Sequence, residues 1–247
     1  MELIVLGAGP AYTDRPGASG ACYMVRGDAD AVLLDLGQGS FTRVFEETEP
    51  SRLTAVLVSH LHPDHFVDLV AFRHYLRFEF DPPRRITVHA DARLADRLDG
   101  LHGQPGFTDA AIDVVPLAPG RRAVGEFEVE AARVTHTDDS YAFRVVTGSG
   151  PGLVYSGDVG RADDLRPLVR PGDVLLSEVS FGAGPVEHGA QHLDGPSVGR
   201  LARDCGAGRV LLTHLQMGHA VGETIASVRA EYGGPVEFVE PGYRTSF

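Results

Sequence analysis

The chain has 247 residues, with 22 Lys and Arg against 34 Asp and Glu, for a net charge of -12. That acidic balance, broken only by the loop pairs Arg84–Arg85 and Arg121–Arg122, argues against a surface that grips long nucleic acids. Two cysteines, Cys22 and Cys205, stand far apart, which excludes a disulfide framework and a thiolate zinc site and predicts two buried, small apolar side chains.

In chain order, short β-branched runs alternate with helical patterns. "LIVLG" (3–7), "AVLLDLG" (31–37), "LTAVLVSH" (53–60) and "ITVHA" (86–90) come first. "VEAARVTH" (129–136), "YAFRVV" (141–146), "GLVYSGD" (152–158), "DVLLSE" (173–178), "RVLLTH" (209–214) and "VEFVE" (236–240) follow. Their continuous apolar character predicts strands covered on both faces. Residues 64–80 carry Phe66, Leu69, Val70, Tyr75 and Leu76 at helical spacing. Further helices are expected over 194–204, with Asp194 as N-cap, and over 221–232. The class is α/β. No repeat or linker divides the chain, so one domain over 1–247 is expected. "MELIVLGAG" is too short for a signal core and lacks a basic start, and no stretch reaches membrane-spanning length. The expectation is a cytoplasmic protein without a membrane partner.

Five of these runs end on a metal-binding residue type: His60, His136, Asp158, Glu178 and His214. Open α/β sheets place their sites at such strand ends. Directly after the third run comes "SHLHPDH" (59–65), where three histidines crowd an aspartate. By composition alone, H-x-H-x-D-H arises in a chain like this with probability on the order of two in a thousand, so chance is a poor explanation. His60 and His62 can turn towards one ion from an extended loop. Pro63 suits the break before a helix, and Asp64 and His65 project from its first turn. Neutral imidazoles and a carboxylate suit zinc, with manganese and iron as alternatives. One tetrahedral ion cannot use so many donors, which points to two divalent ions, with Asp158 as the natural bridge.

The set "HLHPDH", "TH" (135–136), "SGD" (156–158) and "TH" (213–214), in that order, resembles the metallo-β-lactamase superfamily over nearly the whole chain. The resemblance implies a four-layer αββα sandwich with a dinuclear site at one edge. It implies His60, His62 and His136 on one ion, Asp64, His65 and His214 on the other, and Asp158 across both. Asp35, in "DLGQG", matches an aspartate that steadies the histidine loop behind the ligands. True β-lactamases of this fold carry Cys where Asp158 stands, and diiron oxidoreductases carry Glu where His62 stands. Neither activity is therefore expected.

"THTDDSYAFRV" (135–145) and "DVLLSEVSF" (173–181) resemble the ribonuclease Z and phosphodiesterase branch. There Glu178 matches a motif glutamate and His192 the histidine that pairs with it, whereas Asp194 replaces the usual small hydroxyl residue. Asp158 follows His136 by only 22 positions, and Glu178 follows Asp158 by 20. The long basic arm with which tRNA-processing members clamp their substrate cannot fit there. The expected activity is hydrolysis of small or cyclic phosphodiesters, with a hydroxide between two ions attacking phosphorus. Asp64, Glu178 and His192 are the candidate catalytic residues, His192 protonating the leaving oxygen. A lactonase- or thioesterase-type ester hydrolase shares every ligand and is the runner-up; an accessory protein without catalysis and a tRNA 3′-processing nuclease rank lower. A small-molecule substrate is expected, with a homodimer left open. His74 is read as helical, His89 as near a strand end, and His102 and His188 as loop residues. His219 sits close enough to His214 to line a pocket. "GAGPAYTDRPG" (7–17) reads as the turn after the first strand, because Tyr12 stands where a dinucleotide motif needs its third glycine.

Overall fold

A computed structural model describes residues 1–15, 17–186 and 191–247. His188 lies outside the described residues.

The described strands form two seven-stranded sheets. In the first, β1 (Glu2–Gly7), β2 (Cys22–Arg26), β3 (Ala31–Leu34), β4 (Ala55–Leu57), β5 (Ile86–Ala90) and β6 (Ile112–Pro116) lie in sequence order, with the last strand, β14 (Arg244–Ser246), beside β1. The second contains β7 (Gly120–Val124), β8 (Phe127–Arg133), β9 (Tyr141–Val146), β10 (Leu153–Tyr155), β11 (Val174–Glu178), β12 (Arg209–Thr213) and β13 (Val236–Phe238), also in sequence order. Each sheet is mixed. β3 to β6 run parallel, as do β10 to β13, and the remaining pairs are antiparallel.

Period-two patterning explains the layers. Leu3, Val5, Tyr23, Val25, Val32 and Leu34 point inward and meet Phe143, Val145, Leu153, Tyr155, Leu176 and Leu211 of the other sheet. The alternate residues Ile4, Leu6, Met24, Leu33 and Val56 point outward. There they pack under α1 (Phe41–Glu47), α3 (Leu69–Phe78) and α4 (Leu94–His102). Val154, Leu175, Val210 and Leu212 do the same under α5 (Gly195–Cys205) and, through Val228, α6 (Val221–Arg229). Strands buried on both faces read as unbroken apolar runs, which is why ten of the described strands were legible, whereas β2, β6, β7 and β14 were not among the expected runs. The result is the expected α/β sandwich of four layers.

Four local expectations need correction. The helix over 64–80 is broken into α2 (Pro63–Phe66) and α3. Asp68 lies at the break: its backbone N–H donates to Leu36 O, and its carboxylate accepts from Phe41 N at 2.9 Å. These ties to the 36–41 segment hold the turn between the two helices. His102 ends α4 rather than sitting in a loop, with its ring stacked 4.0 Å from Phe107. Cys22 is buried as expected, but Cys205, the last residue of α5, is only half-buried. The helix from 221 stops at Arg229, whereas Asp194 accepts from Ser197 N at 2.9 Å and caps α5 as read. No helix among the described residues is long and apolar enough to cross a membrane.

Candidate metal centre

All five strand-end residues converge at one edge, between the sheets. Glu178 closes β11 and His214 directly follows β12. His60, His136 and Asp158 lie in the loops beyond β4, β8 and β10. The one-turn α2 presents Asp64 and His65 to the same point, both buried. Close backbone approach is needed for this. Gly157 has φ 56°, and a Cβ there would lie 2.9 Å from Ser59 Cβ. Asp35 and His214 also adopt positive φ, 62° and 57°. Asp and His are among the non-glycine residues that tolerate that region best.

Two groups of donors form. His60 Nε2 lies 2.9 Å from His62 Nδ1, which is 3.1 Å from His136 Nε2. Asp158 Oδ2 is 3.7 Å from both Nε2 atoms. On the other side, Asp64 Oδ2 is 3.6 Å from His65 Nε2 and 3.3 Å from His214 Nε2. Asp158 Oδ1 faces that pair at 3.4 and 3.5 Å. Asp158 thus turns one oxygen to each group.

Chemistry tests whether ions fit. Buried polar atoms are nearly always hydrogen-bonded. Here His65 Nε2 and Asp158 Oδ1 are buried without a hydrogen-bond partner. A cation between them would satisfy both atoms. The imidazole tautomers agree in four of the five candidate rings, whose second nitrogen is engaged away from the cluster. His60 Nδ1 bonds Ser59 Oγ at 3.1 Å, His65 Nδ1 bonds Asp35 at 2.7 Å, and His136 Nδ1 bonds Gln191 O at 2.7 Å. His214 Nδ1 bonds Ser180 Oγ at 3.1 Å. Outer partners of this kind are what orient metal-binding histidines.

For three of the histidines and for Asp158, charge is tuned in the same sense. Burial pushes His60 well below the usual histidine range, helped by the neighbouring His65. Burial likewise lowers His62 and His136. Neutral imidazole is the form that binds a metal. Burial opposes ionisation of Asp158, but His214 and His65 outweigh it and hold the carboxyl well below the carboxylate range. For His65 burial opposes charge too, yet Asp158 and Asp35 hold its pKa well up.

Around the cluster stand Asp35, Glu178 and His192, which the sequence singled out, together with hydroxyl groups that it did not. Asp35 accepts from Ser59 N and Oγ at 2.6 and 2.8 Å and from Tyr155 OH at 2.6 Å, besides His65. Glu178 accepts from Val159 N at 2.9 Å, from Ser180 N and Oγ at 3.0 and 2.6 Å, and from His192 Nδ1 at 3.0 Å. Ser59, Ser180 and Tyr155 carry no motif of their own. Their one signal is adjacency, each standing one to three residues from a ligand candidate or Glu178. His192 Nδ1 lies 3.9 Å from Asp158 Oδ2, at the rim of the cluster. Burial disfavours its charge, but the Glu178 carboxylate pushes its pKa up to about 9. His219 packs its ring on Gly182, and its backbone carbonyl accepts from Arg15. His74 bonds Val70 O within α3, and His89 lies within β5; neither belongs to the cluster.

A sandwich with this donor set at its edge defines a metal-dependent hydrolase. The chain belongs to the β-lactamase superfamily: residues 30–215 match the family described as Beta-lactamase superfamily domain. Over 248 residues it is 25% identical to a Bacillus subtilis protein named as a probable metallo-hydrolase, YhfI, covering 98% of both chains. The crystal structure of YhfI superposes with a TM-score of 0.87 at 22% identity, over 99% of this chain and 98% of that one. A ribonuclease Z of Myxococcus xanthus is 24% identical over 274 residues, 89% of each chain. A diphosphatase of the PhnP family shares the fold, with a TM-score of 0.77 at 16% identity over 100% of this chain and 97% of that one. These relatives fit the ribonuclease Z and phosphodiesterase-like branch.

Proposed function

We propose that the protein hydrolyses small or cyclic phosphodiesters with two bound divalent ions, zinc in the first place and manganese or iron as alternatives. His60, His62 and His136 would hold one ion and Asp64, His65 and His214 the other, with one oxygen of Asp158 on each. When bound, such ions polarise a phosphoryl oxygen and lower the pKa of water.

The observation that carries the reading is the Glu178–His192 pair at the lip of the cluster. Glu178 engages Nδ1, which leaves Nε2 as the atom that holds a proton towards a leaving group. The carboxylate also raises the imidazole pKa to about 9, so the proton is present at neutral pH. An alkoxide leaving from phosphorus needs that proton, and a positioned acid is worth about 10²–10⁴-fold. Asp64, held low despite burial by its hydrogen bond from His214 and by His65, stays an anionic acceptor on the opposite side. β9 and β10 join through residues 147–152 and β10 and β11 through 156–173, connections too short for a long basic arm, which supports a small substrate over a folded RNA. Two cysteines without a disulfide suit the reducing cytoplasm, where we place the chain.

The test is to screen the metal-loaded protein in one plate against bis(p-nitrophenyl) phosphate, nucleoside phosphodiesters, lactones, thioesters and a chromogenic cephalosporin. Turnover of the diesters without the cephalosporin is expected. Turnover of lactones or thioesters alone would replace the phosphodiesterase reading with the ester-hydrolase one.

A further inference from the structure

The donor group of Asp64, His65 and His214 straddles the two sheets. Asp64 and His65 belong to α2, which is anchored to the first sheet: Asp64 O accepts from Ala21 N at 2.9 Å, and His65 O from Leu36 N at 2.8 Å. His214 directly follows β12 of the second sheet. The 3.3 Å between Asp64 Oδ2 and His214 Nε2 therefore depends on how far apart the sheets stand at this edge. Ser180 Oγ holds the ring and the carbonyl of His214, at 3.1 and 3.0 Å. It follows β11 of the same second sheet, so it leaves that spacing open.

Tyr23 closes it. This residue lies in β2, two positions beyond Ala21, and its side chain is fully buried in the core between the sheets. Its hydroxyl lies 2.6 Å from Oγ1 of Thr213, the last residue of β12, and has no other hydrogen-bond partner among the described residues. A buried phenol needs a partner for its proton. Thr213 Oγ1 has a second partner in Ala8 O, at 3.4 Å. One arrangement satisfies both hydroxyl protons: Tyr23 donates to Thr213, and Thr213 donates to Ala8 O. The same carbonyl accepts from His214 N at 3.0 Å. Three hydrogen bonds from β2 and the loop after β1 thus hold the step from Thr213 to His214. His214 needs such a hold, because its φ of 57° is a conformation that a non-glycine residue keeps only where its surroundings over-determine it. Tyr155 crosses the other way, to Asp35, but there Ser59 and His65 hold the same carboxylate.

We propose that Tyr23 is a positioning residue for the ion of Asp64, His65 and His214. Through Thr213 it fixes His214 of the second sheet against the two ligands of the first. The role rests on the two-ion reading and involves no contact with substrate.

Titration of the metal-free protein with zinc against a chromogenic chelator tests this without any turnover. The parent should take about two ions. Tyr23→Phe keeps the ring and removes the hydroxyl. One of the two affinities should fall about tenfold, as for loss of an outer contact, while the other stands. Thr213→Val cuts the same link and should give the same fall, whereas Thr213→Ser, which keeps the hydroxyl, should retain both affinities. The double variant Tyr23→Phe/Thr213→Val should be no weaker than either single one, because a shared link is lost only once. In His214→Ala, which keeps His60, His62, His136 and Asp158, Tyr23→Phe should leave the remaining affinity unchanged. A melting curve checks that each variant is folded. A packing role alone predicts another pattern: a lower melting temperature with both affinities intact, or both affinities lowered together and again in His214→Ala. Either result overturns the proposal, as do additive losses in the double variant. A parent that takes a single ion fails before any variant is compared, and the two-ion reading then falls together with the role of Tyr23.

Discussion

Asp35 of the first sheet and Glu178 of the second stand behind the cluster in matching positions, each a buried carboxylate accepting four hydrogen bonds. Asp35 takes Ser59 N, Ser59 Oγ, His65 Nδ1 and Tyr155 OH. Glu178 takes Val159 N, Ser180 N, Ser180 Oγ and His192 Nδ1. A serine in each set reaches a candidate ligand, Ser59 to His60 and Ser180 to His214. The difference lies in the imidazole held directly. His65 is fully buried, whereas the side chain of His192 is 17% exposed at the lip. The same carboxylate chemistry therefore makes a closed scaffold on one side and, in the proposed mechanism, an accessible proton on the other. Exposure of the terminal ring, rather than its partner, separates the two roles.

The strongest way to break the comparison is to remove what both halves share. Asp158→Ala deletes the oxygen facing each group and should lower activity by about 10³-fold or more, the order of a metal-centred stabilisation of several kcal/mol. Elemental analysis should find about two ions per chain in the parent and fewer in the variant. A parent that holds one ion after saturation with zinc or manganese would sink the two-ion reading.

The next variant sharpens the contrast on the exposed side. His192→Ala should slow alkyl and nucleoside diesters by about 10²-fold, within the usual range for a general acid. Nitrophenyl esters, whose leaving group departs unaided, should be barely affected, with metal content unchanged. Glu178→Gln should follow the same pattern more weakly. Equal slowing of both substrate types with intact metal would remove His192 from the chemistry.

Much of this was legible because strongly patterned features dominate it. The double-faced runs located the strands, and the strand ends plus "HLHPDH" drew seven candidate ligands to one place. Asp194 announced its helix because a cap is a local property. What escaped notice depends on tertiary contact. The interruption between α2 and α3 rests on Asp68 tying itself to residues 36–41, which no helical period encodes. Ser180 and Tyr155 look like ordinary strand-end residues until two sheets bring their hydroxyls to Glu178 and Asp35. Arg15 and Arg43, far apart in sequence, share a cavity only after the loop beyond β1 folds against α1.

A smaller effect is expected from Ser180→Ala. It removes the acceptor of His214 Nδ1 and one donor to Glu178, so it loosens a candidate ligand and the proposed acid's partner together. Loss of such an outer contact typically costs about 10–100-fold in metal affinity or activity. Metal titration of the purified variant against a chromogenic chelator would read the affinity directly, and an unchanged affinity would reduce Ser180 to packing.

The smallest effect is predicted on the closed side. Tyr155→Phe deletes one hydroxyl that donates to Asp35 Oδ2 at 2.6 Å and leaves the ring in place, 5.0 Å from that of Tyr23. Because Ser59 and His65 still bond that oxygen, the carboxylate is not stranded. The cost should then be that of one hydrogen bond, about 1 kcal/mol. For a chain of this length that corresponds to a melting temperature lower by about 2–4 °C. Metal content and the ratio of alkyl to nitrophenyl turnover should not move, because no atom near the leaving group has changed. A selective loss on alkyl diesters in Tyr155→Phe would mean that the Asp35 side also handles the leaving group's proton, and the division of labour between the two carboxylates would fall.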